Sequence, residues 1–186
     1  MAIQDPALKL TYEDLADLPD DGKRHELIDG EHFVTASPFR KHQGVSTTLT
    51  IEIGSYVREH SAGWLYHAPF DVVLSDTDVV EPDLVFVSRE RAKILTDRNI
   101  CGAPDLVIEI LSETTRRRDE VIKRKLYERF GVREYWVIDA ELEQVKVYRH
   151  AGEGYGKPRI LAAEAGERLE TPLLPGLSIP LVKLFS

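Results

Sequence analysis

Two hydrophobic runs each carry one acidic residue: Asp83 in Pro82-Asp83-Leu84-Val85-Phe86-Val87, and Glu109 in Leu106-Val107-Ile108-Glu109-Ile110-Leu111. Neither run alternates with polar residues, which is the pattern of a strand covered on both faces. A carboxylate placed there loses its water, and its charge costs several kcal/mol, by order of magnitude about 3 or more, unless a cation or donor compensates it. A lysine-bearing segment, Thr115 to Phe130, follows the second run directly. Two buried carboxylates beside a lysine suit a divalent-metal site for hydrolysis. The competing reading makes each carboxylate half of a buried ion pair or the cap of a neighbouring loop.

The elements that must position these groups can be read from periodicity. Thr11-Tyr12-Glu13-Asp14 opens a short helix that ends near Pro19. Arg24 to Ile28 and His32 to Thr35 flank Asp29-Gly30, a strong hairpin signal, with Ser37-Pro38 stopping the second strand. Between Lys41 and His60, Val45, Leu49, Ile53 and Val57 recur every fourth residue and predict a helix with one buried face. Phe70 to Leu74 and Val79 to Val87 read as two strands around Ser75-Asp76-Thr77-Asp78. Asp105 to Leu111 reads as a central strand, and Ser112-Glu113-Thr114-Thr115 supplies capping oxygens for a helix that stops at Gly131.

On that helix Ile122, Leu126 and Phe130 form an apolar stripe. Asp119, Lys123 and Tyr127 form a polar stripe beside it, at the edge of the buried face. Glu134 to Asp139 and Gln144 to Arg149 are two further strands around a turn, and an apolar tail from Leu173 to Phe185 can pack on the body or on a second subunit. The order of elements is that of an α/β fold with a mixed sheet, in which the strand from Asp105, the helix after it and the strand from Glu134 can form a crossover unit.

Composition narrows the function classes. The chain of 186 residues is 42% hydrophobic and 30% charged, without repeats or low-complexity tracts, and reads as one domain over 1–186. No apolar stretch is long enough to span a bilayer, and the first residues have no signal-peptide pattern, so a cytoplasmic location and no membrane partner are expected. Cys101 is the single cysteine; it can form neither an intramolecular disulfide nor a cysteine zinc site, and reads as a small packing residue. A formal charge of −8 disfavours a broad electrostatic grip on DNA. Arg116-Arg117-Arg118 and Lys123-Arg124-Lys125 nevertheless concentrate positive charge next to the proposed site. There is no glycine-rich phosphate loop, so no nucleotide cofactor is expected, no nucleophile elbow, and no His-x3-His spacing among the histidines.

The ordered set of motifs resembles a known family. Glu26-Leu27-x-Asp29-Gly30, Ser37-Pro38 with His42, Pro82-Asp83, Glu109, and Asp119-x3-Lys123-x3-Tyr127 come first. Gly131-Val132-x-Glu134-Tyr135-Trp136-Val137-x-Asp139 and Pro175-Gly176-Leu177 complete it. Together they are similar to the Uma-two family of the PD-(D/E)XK restriction-endonuclease-like superfamily, from about Tyr12 to Phe185. The resemblance implies a restriction-endonuclease-like mixed β-sheet core flanked by helices, with an N-terminal hairpin, and a Mg²⁺- or Mn²⁺-dependent endonuclease acting on DNA; a homodimer is expected because a duplex has two strands to cut and the apolar tail could pair subunits. It implies that Asp83 and Glu109 bind the metal with the backbone carbonyl of Ile110, and that Glu26 serves as a ligand through water or as a general base. Lys123 would orient the attacking water and stabilise transition-state charge.

The chain departs from the superfamily pattern at Leu111, where the motif has its lysine. Lys123 takes that role in the family pattern. Lys125 is the fallback, about 200° around the helix, and Lys123 could instead simply pair with Asp119. His42 and Tyr127 are candidates for lesser site roles, against structural readings of each. The rival to the enzyme reading is a catalytically inactive nuclease-fold scaffold acting through homodimerisation or partner binding.

Overall fold

The computed structural model describes residues 9–19, 21–35 and 39–186. The turn assigned to Ser37-Pro38 and the first residues of the chain lie outside them. In chain order the main elements are α1 (Tyr12–Ala16), β1 (Arg24–Ile28), β2 (Glu31–Thr35), α2 (Arg40–Glu59), β3 (Gly63–His67), β4 (Val72–Ser75), β5 (Asp78–Val80), β6 (Leu84–Ser88), β7 (Ile100–Cys101) and β8 (Leu106–Ile110). A π-helical turn (Arg118–Lys123) leads into α3 (Arg124–Arg129). Then follow β9 (Glu134–Asp139), β10 (Gln144–Arg149), β11 (Arg159–Ala162), β12 (Arg168–Glu170), β13 (Ser178–Pro180) and α4 (Leu181–Leu184).

Local chemistry sets several of these. Thr11 and Asp14 exchange bonds in a capping box at the start of α1. Asp29 and Gly30 take φ of 53° and 75°, the two positive values that a two-residue hairpin turn between β1 and β2 demands. Val45, Leu49, Ile53 and Val57 all lie on the buried side of α2.

Two sheets carry the fold. The larger has the order β11-β10-β9-β8-β6-β3, and the smaller β2-β1-β5-β4-β7. In the larger sheet β8 runs parallel to β9, and helix α3 lies in the connection between them; β6 runs antiparallel on the other side of β8. Every residue of β8 and β9 is buried, as double-faced cover requires. Strand alternation sorts them into two cores. Leu106, Ile108, Ile110, Trp136 and Ile138 meet α2 and the tail, where Leu174, Ile179, Leu181 and Leu184 are buried. Val107, Tyr135 and Val137 meet Leu126 and Tyr127 of α3 together with Val72, Val80 and Ile100 of the smaller sheet. Glu109 alternates with Ile108 and Ile110 and so shares the face of the second core. The apolar tail therefore packs on the body of its own chain.

Three expectations are corrected. The run from Val79 to Val87 is not one strand: β5 ends at Val80 and β6 begins at Leu84, and the chain leaves the smaller sheet for the larger between them. Pro82 explains the break, since it lacks the N–H that a continuous ladder needs. Asp83 thus sits on a buried crossing between sheets, just before β6, and not inside a strand. On the helix before β9, the polar stripe is the more buried one: Asp119, Lys123 and Tyr127 are inside while Ile122 is 37% exposed. The π turn under-winds this stretch and rotates Ile122 away from Leu126. Cys101 is exposed, its Sγ 3.2 Å from Asn99 Oδ1, and is not a core packing residue. Strands β3, β7, β11, β12 and β13 carry no clear periodic signal in the sequence.

Candidate active site

The smaller sheet, the crossing segment, the central strand and the helix before β9 all contribute to a single cavity of about 100 Å³. Glu26 comes from β1, Asp83 from the crossing, Glu109 and Ile110 from β8, and Lys123 from the end of the π turn. All five residues named from the sequence are therefore brought together, and Lys125 is exposed. Lys123 stands at the centre, its Nζ 2.6 Å from Glu26 Oε1, 2.8 Å from Glu109 Oε1 and 3.8 Å from Asp119 Oδ1. The pairing with Asp119 is thus the longest of three, and Lys123 bridges the two sheets. The Tyr127 hydroxyl donates to the same Glu109 oxygen at 2.8 Å.

Asp83 is held from three directions. Arg24 Nη1 reaches Oδ1 at 2.7 Å, while His42 Nε2 at 3.0 Å and the backbone N–H of Ile110 at 2.8 Å reach Oδ2. It is the N–H of Ile110 that meets Asp83. Arg118 lies behind Glu26, with Nη2 3.6 Å from Oε2, and donates to the Thr35 hydroxyl. Glu26 Oε1 also accepts the backbone N–H of Glu81. Arg24 carries no motif signal of its own in a hairpin strand. Arg118 is legible only as one member of a basic triplet that concentrates positive charge near the site.

Charge and burial compete throughout the site. Burial pushes the Glu109 carboxyl up to about 8, with Asp119, Asp83 and Glu26 adding to the shift and Lys123 opposing it. Burial acts in the same direction on Asp83, but His42, Arg24 and the Ile110 N–H outweigh it and hold Asp83 below the usual carboxylate range. Asp119 is raised, chiefly by burial. Burial alone would lower Lys123, yet the carboxylates of Glu109, Glu26 and Asp119 hold its ammonium charged and raise it above its ordinary value. Tyr127, buried beside Glu109, is raised well above the usual phenol range and stays a donor. Four carboxylates thus face three fixed cations, Arg24, Arg118 and Lys123, in a site closed to bulk water on most sides.

The donor set suits a hard cation. Glu26 Oε2 and Asp119 Oδ1 are buried oxygens without a hydrogen-bond partner, and the site's carboxylates are all oxygen ligands. Among the described residues no group of three His, Cys, Asp or Glu side chains is disposed to hold a metal unaided. Mg²⁺ does not require one, because it is commonly held by one or two carboxylates with waters and substrate phosphates completing its shell. Asp83 and Glu109 fit that demand.

The mixed α/β architecture, with two main sheets and few helices, is a nuclease-like fold, as a solved structure shows. A crystal structure from Anabaena variabilis ATCC 29413, described as "a putative nuclease belonging to DUF820", shares this fold. Its TM-score is 0.80 over 95% of this chain and 97% of that one, at 21% identity. Residues 12–182 match the Uma2 family, described as "Putative restriction endonuclease", and the chain belongs to that family. No curated protein matches the chain by sequence.

Proposed function

We propose that the protein is a divalent-metal-dependent endonuclease that hydrolyses DNA phosphodiester bonds. The observation that carries this reading is Lys123: a charged ammonium, buried, shared between Glu26 and Glu109 in a cavity that Asp83 also lines. A lysine kept only for stability has no reason to collect carboxylates from two sheets around a polar void.

Mg²⁺ or Mn²⁺ held by Asp83 and Glu109, with the Ile110 carbonyl as a further oxygen, would supply Lewis-acid neutralisation of the phosphoryl oxygens. Lys123 orients a water against the phosphorus and counters the negative charge that develops on the phosphoryl group. Glu26 Oε2, buried and without a hydrogen-bond partner, takes the proton as the water oxygen bonds to phosphorus. The phosphorus–oxygen bond to the leaving sugar opens, and that oxygen is protonated from solvent. Arg24 and His42 keep Asp83 ionised and oriented throughout. A homodimer would supply two such sites.

The test is cleavage of plasmid and single-stranded DNA with Mg²⁺, Mn²⁺ or EDTA by the wild type and by Asp83→Asn and Glu109→Gln, with melting temperature followed in parallel. Metal-dependent cleavage and a metal-induced rise in Tm are expected in the wild type alone, because a ligand bound only by the folded state raises stability. Equal cleavage by both variants would defeat the assignment. Absence of both cleavage and metal stabilisation in the wild type would favour the scaffold reading, which the formal charge of −8 also supports.

A further inference from the structure

The reactive groups are recessed. Glu26, Asp83, Glu109 and Lys123 are each at most 4% exposed, and the space in front of them is about 100 Å³. The rim carries an opposite kind of residue: Phe39, which lines the same cavity, is 76% exposed. Burial does not account for an aromatic ring there, and as the residue before α2 it makes no side-chain cap either. Phe39, in extended conformation, leads the chain into α2, where His42 follows three residues later; both line the cavity, and His42 Nε2 contacts Asp83 at 3.0 Å. The exposed ring thus stands at the mouth of the recess whose inner wall holds Asp83.

The cavity itself asks for a ligand with both acceptors and charge. Besides the two orphaned carboxylate oxygens, Arg118 Nε and His42 Nδ1 are buried there without a partner. His42 Nε2 bonds to Asp83 Oδ2, and its Nδ1 makes no hydrogen bond in the cavity. Arg118 Nε is a donor aimed at no protein acceptor, as a phosphate oxygen would require.

Building on the nuclease reading, we infer that the strand entering this cavity is unpaired and that Phe39 stacks on the base beside the phosphate bound within it. A duplex presents its phosphates on a stiff, convex cylinder whose bases are already stacked and turned inward. Neither the recess nor the ring can be used by such a surface without local melting. A single strand, a flap or a frayed end can feed one phosphate inward and lay its base on the ring, an interaction that tolerates any sequence because every base has a π-face.

The experiment uses the full chain with Mn²⁺ and compares kcat/KM on a 30-nucleotide single strand, its blunt duplex and the duplex carrying an unpaired flap. Quenching of a 2-aminopurine-labelled single strand is measured separately in EDTA. Wild type, Phe39→Ala and Phe39→Trp are compared. The unpaired substrates should be preferred at least tenfold. Phe39→Ala should lose roughly tenfold on the strand, through KM, together with the 2-aminopurine quenching, while Phe39→Trp retains both. Equal rates on strand and blunt duplex, or an unchanged strand preference in Phe39→Ala, would overturn the inference. Failure of the nuclease reading looks different: no substrate is cut with any metal, yet Phe39-dependent quenching in EDTA would still establish an unpaired-strand binding site, and absence of quenching as well would remove both.

Discussion

Lys123 shows what a single residue contributes when its surroundings give it no alternative. Three carboxylates share its charge, and none of the four groups has water to fall back on. Removing the ammonium leaves Glu26 and Glu109 buried without their main compensating charge. We expect Lys123→Ala to lower unfolding free energy by about 3–5 kcal/mol, the usual result of breaking a buried pair from one side, measured by urea titration. Cleavage should fall by about 10² or more, since the group meant to meet the developing charge is gone. Lys123→Met tests the separation of roles: its apolar stem refills the volume, so some stability returns while cleavage does not.

At the scale of elements, the site depends on how strand ends and helix turns are tied. Asp139, the last residue of β9, accepts the N–H groups of Glu141 and Leu142 through Oδ1 and pairs with Arg116 Nη1 through Oδ2 at 2.6 Å. It thereby joins the turn into β10 to the segment that leads to the π turn. Burial pushes its carboxyl up, but Arg116 and the two N–H groups prevail and hold it below the usual carboxylate range. The sign follows from linkage: a carboxyl depressed in the folded state contributes stability that is present above its unfolded value, near pH 4, and is lost as pH falls through the folded one. Asp139→Asn keeps an acceptor for the turn and loses the charge. The stability gap to the wild type should be no more than about 1 kcal/mol at neutral pH, because Arg116 is partly exposed and solvent-screened. It should close as the pH is lowered below about 4. Thermal unfolding from pH 7 to pH 3 measures this; a gap that widens in acid would contradict the pairing.

For the whole molecule, the tail is part of the core that supports the strand carrying Glu109. Leu181 and Leu184 of α4 lie with Val45, Leu49 and Ile53 of α2 over the face of β8 that carries Ile108 and Ile110. That face backs the one from which Glu109 projects, so the tail braces the central strand from behind. Leu181→Ala should cost about 2–5 kcal/mol, the range for a buried leucine cavity, read as a lowered urea midpoint. Once folded, the variant should match the wild type in the proposed metal-dependent cleavage, because no atom of the site is altered.

Much of this was legible in the residues alone. The hairpin at Asp29-Gly30, the four-residue repeat of α2, the doubly buried runs at β6 and β8 and the odd carboxylates Asp83 and Glu109 are local features. A turn's positive φ, a helix period and the cost of a buried charge are all set within a few residues of chain. Family membership also followed from ordered motifs along most of the length. What lay beyond the sequence depends on contacts between distant segments. Period arguments place Ile122 inward and Lys123 at the edge; the π turn, together with carboxylates arriving from β1 and β8, reverses that order. Pro82 stands in the sequence, but that it breaks the run from Val79 to Val87, and that the chain there passes between two sheets with Asp83 at the crossing, required the partners of β5 and β6. Arg24 and Arg118 look like ordinary surface cations until the fold sets Arg24 against Asp83 and Arg118 beside Glu26. Local sequence determined which groups would be costly to bury, and only the tertiary structure decided which groups would meet them, because compensation of a buried charge is a matter of distance in space.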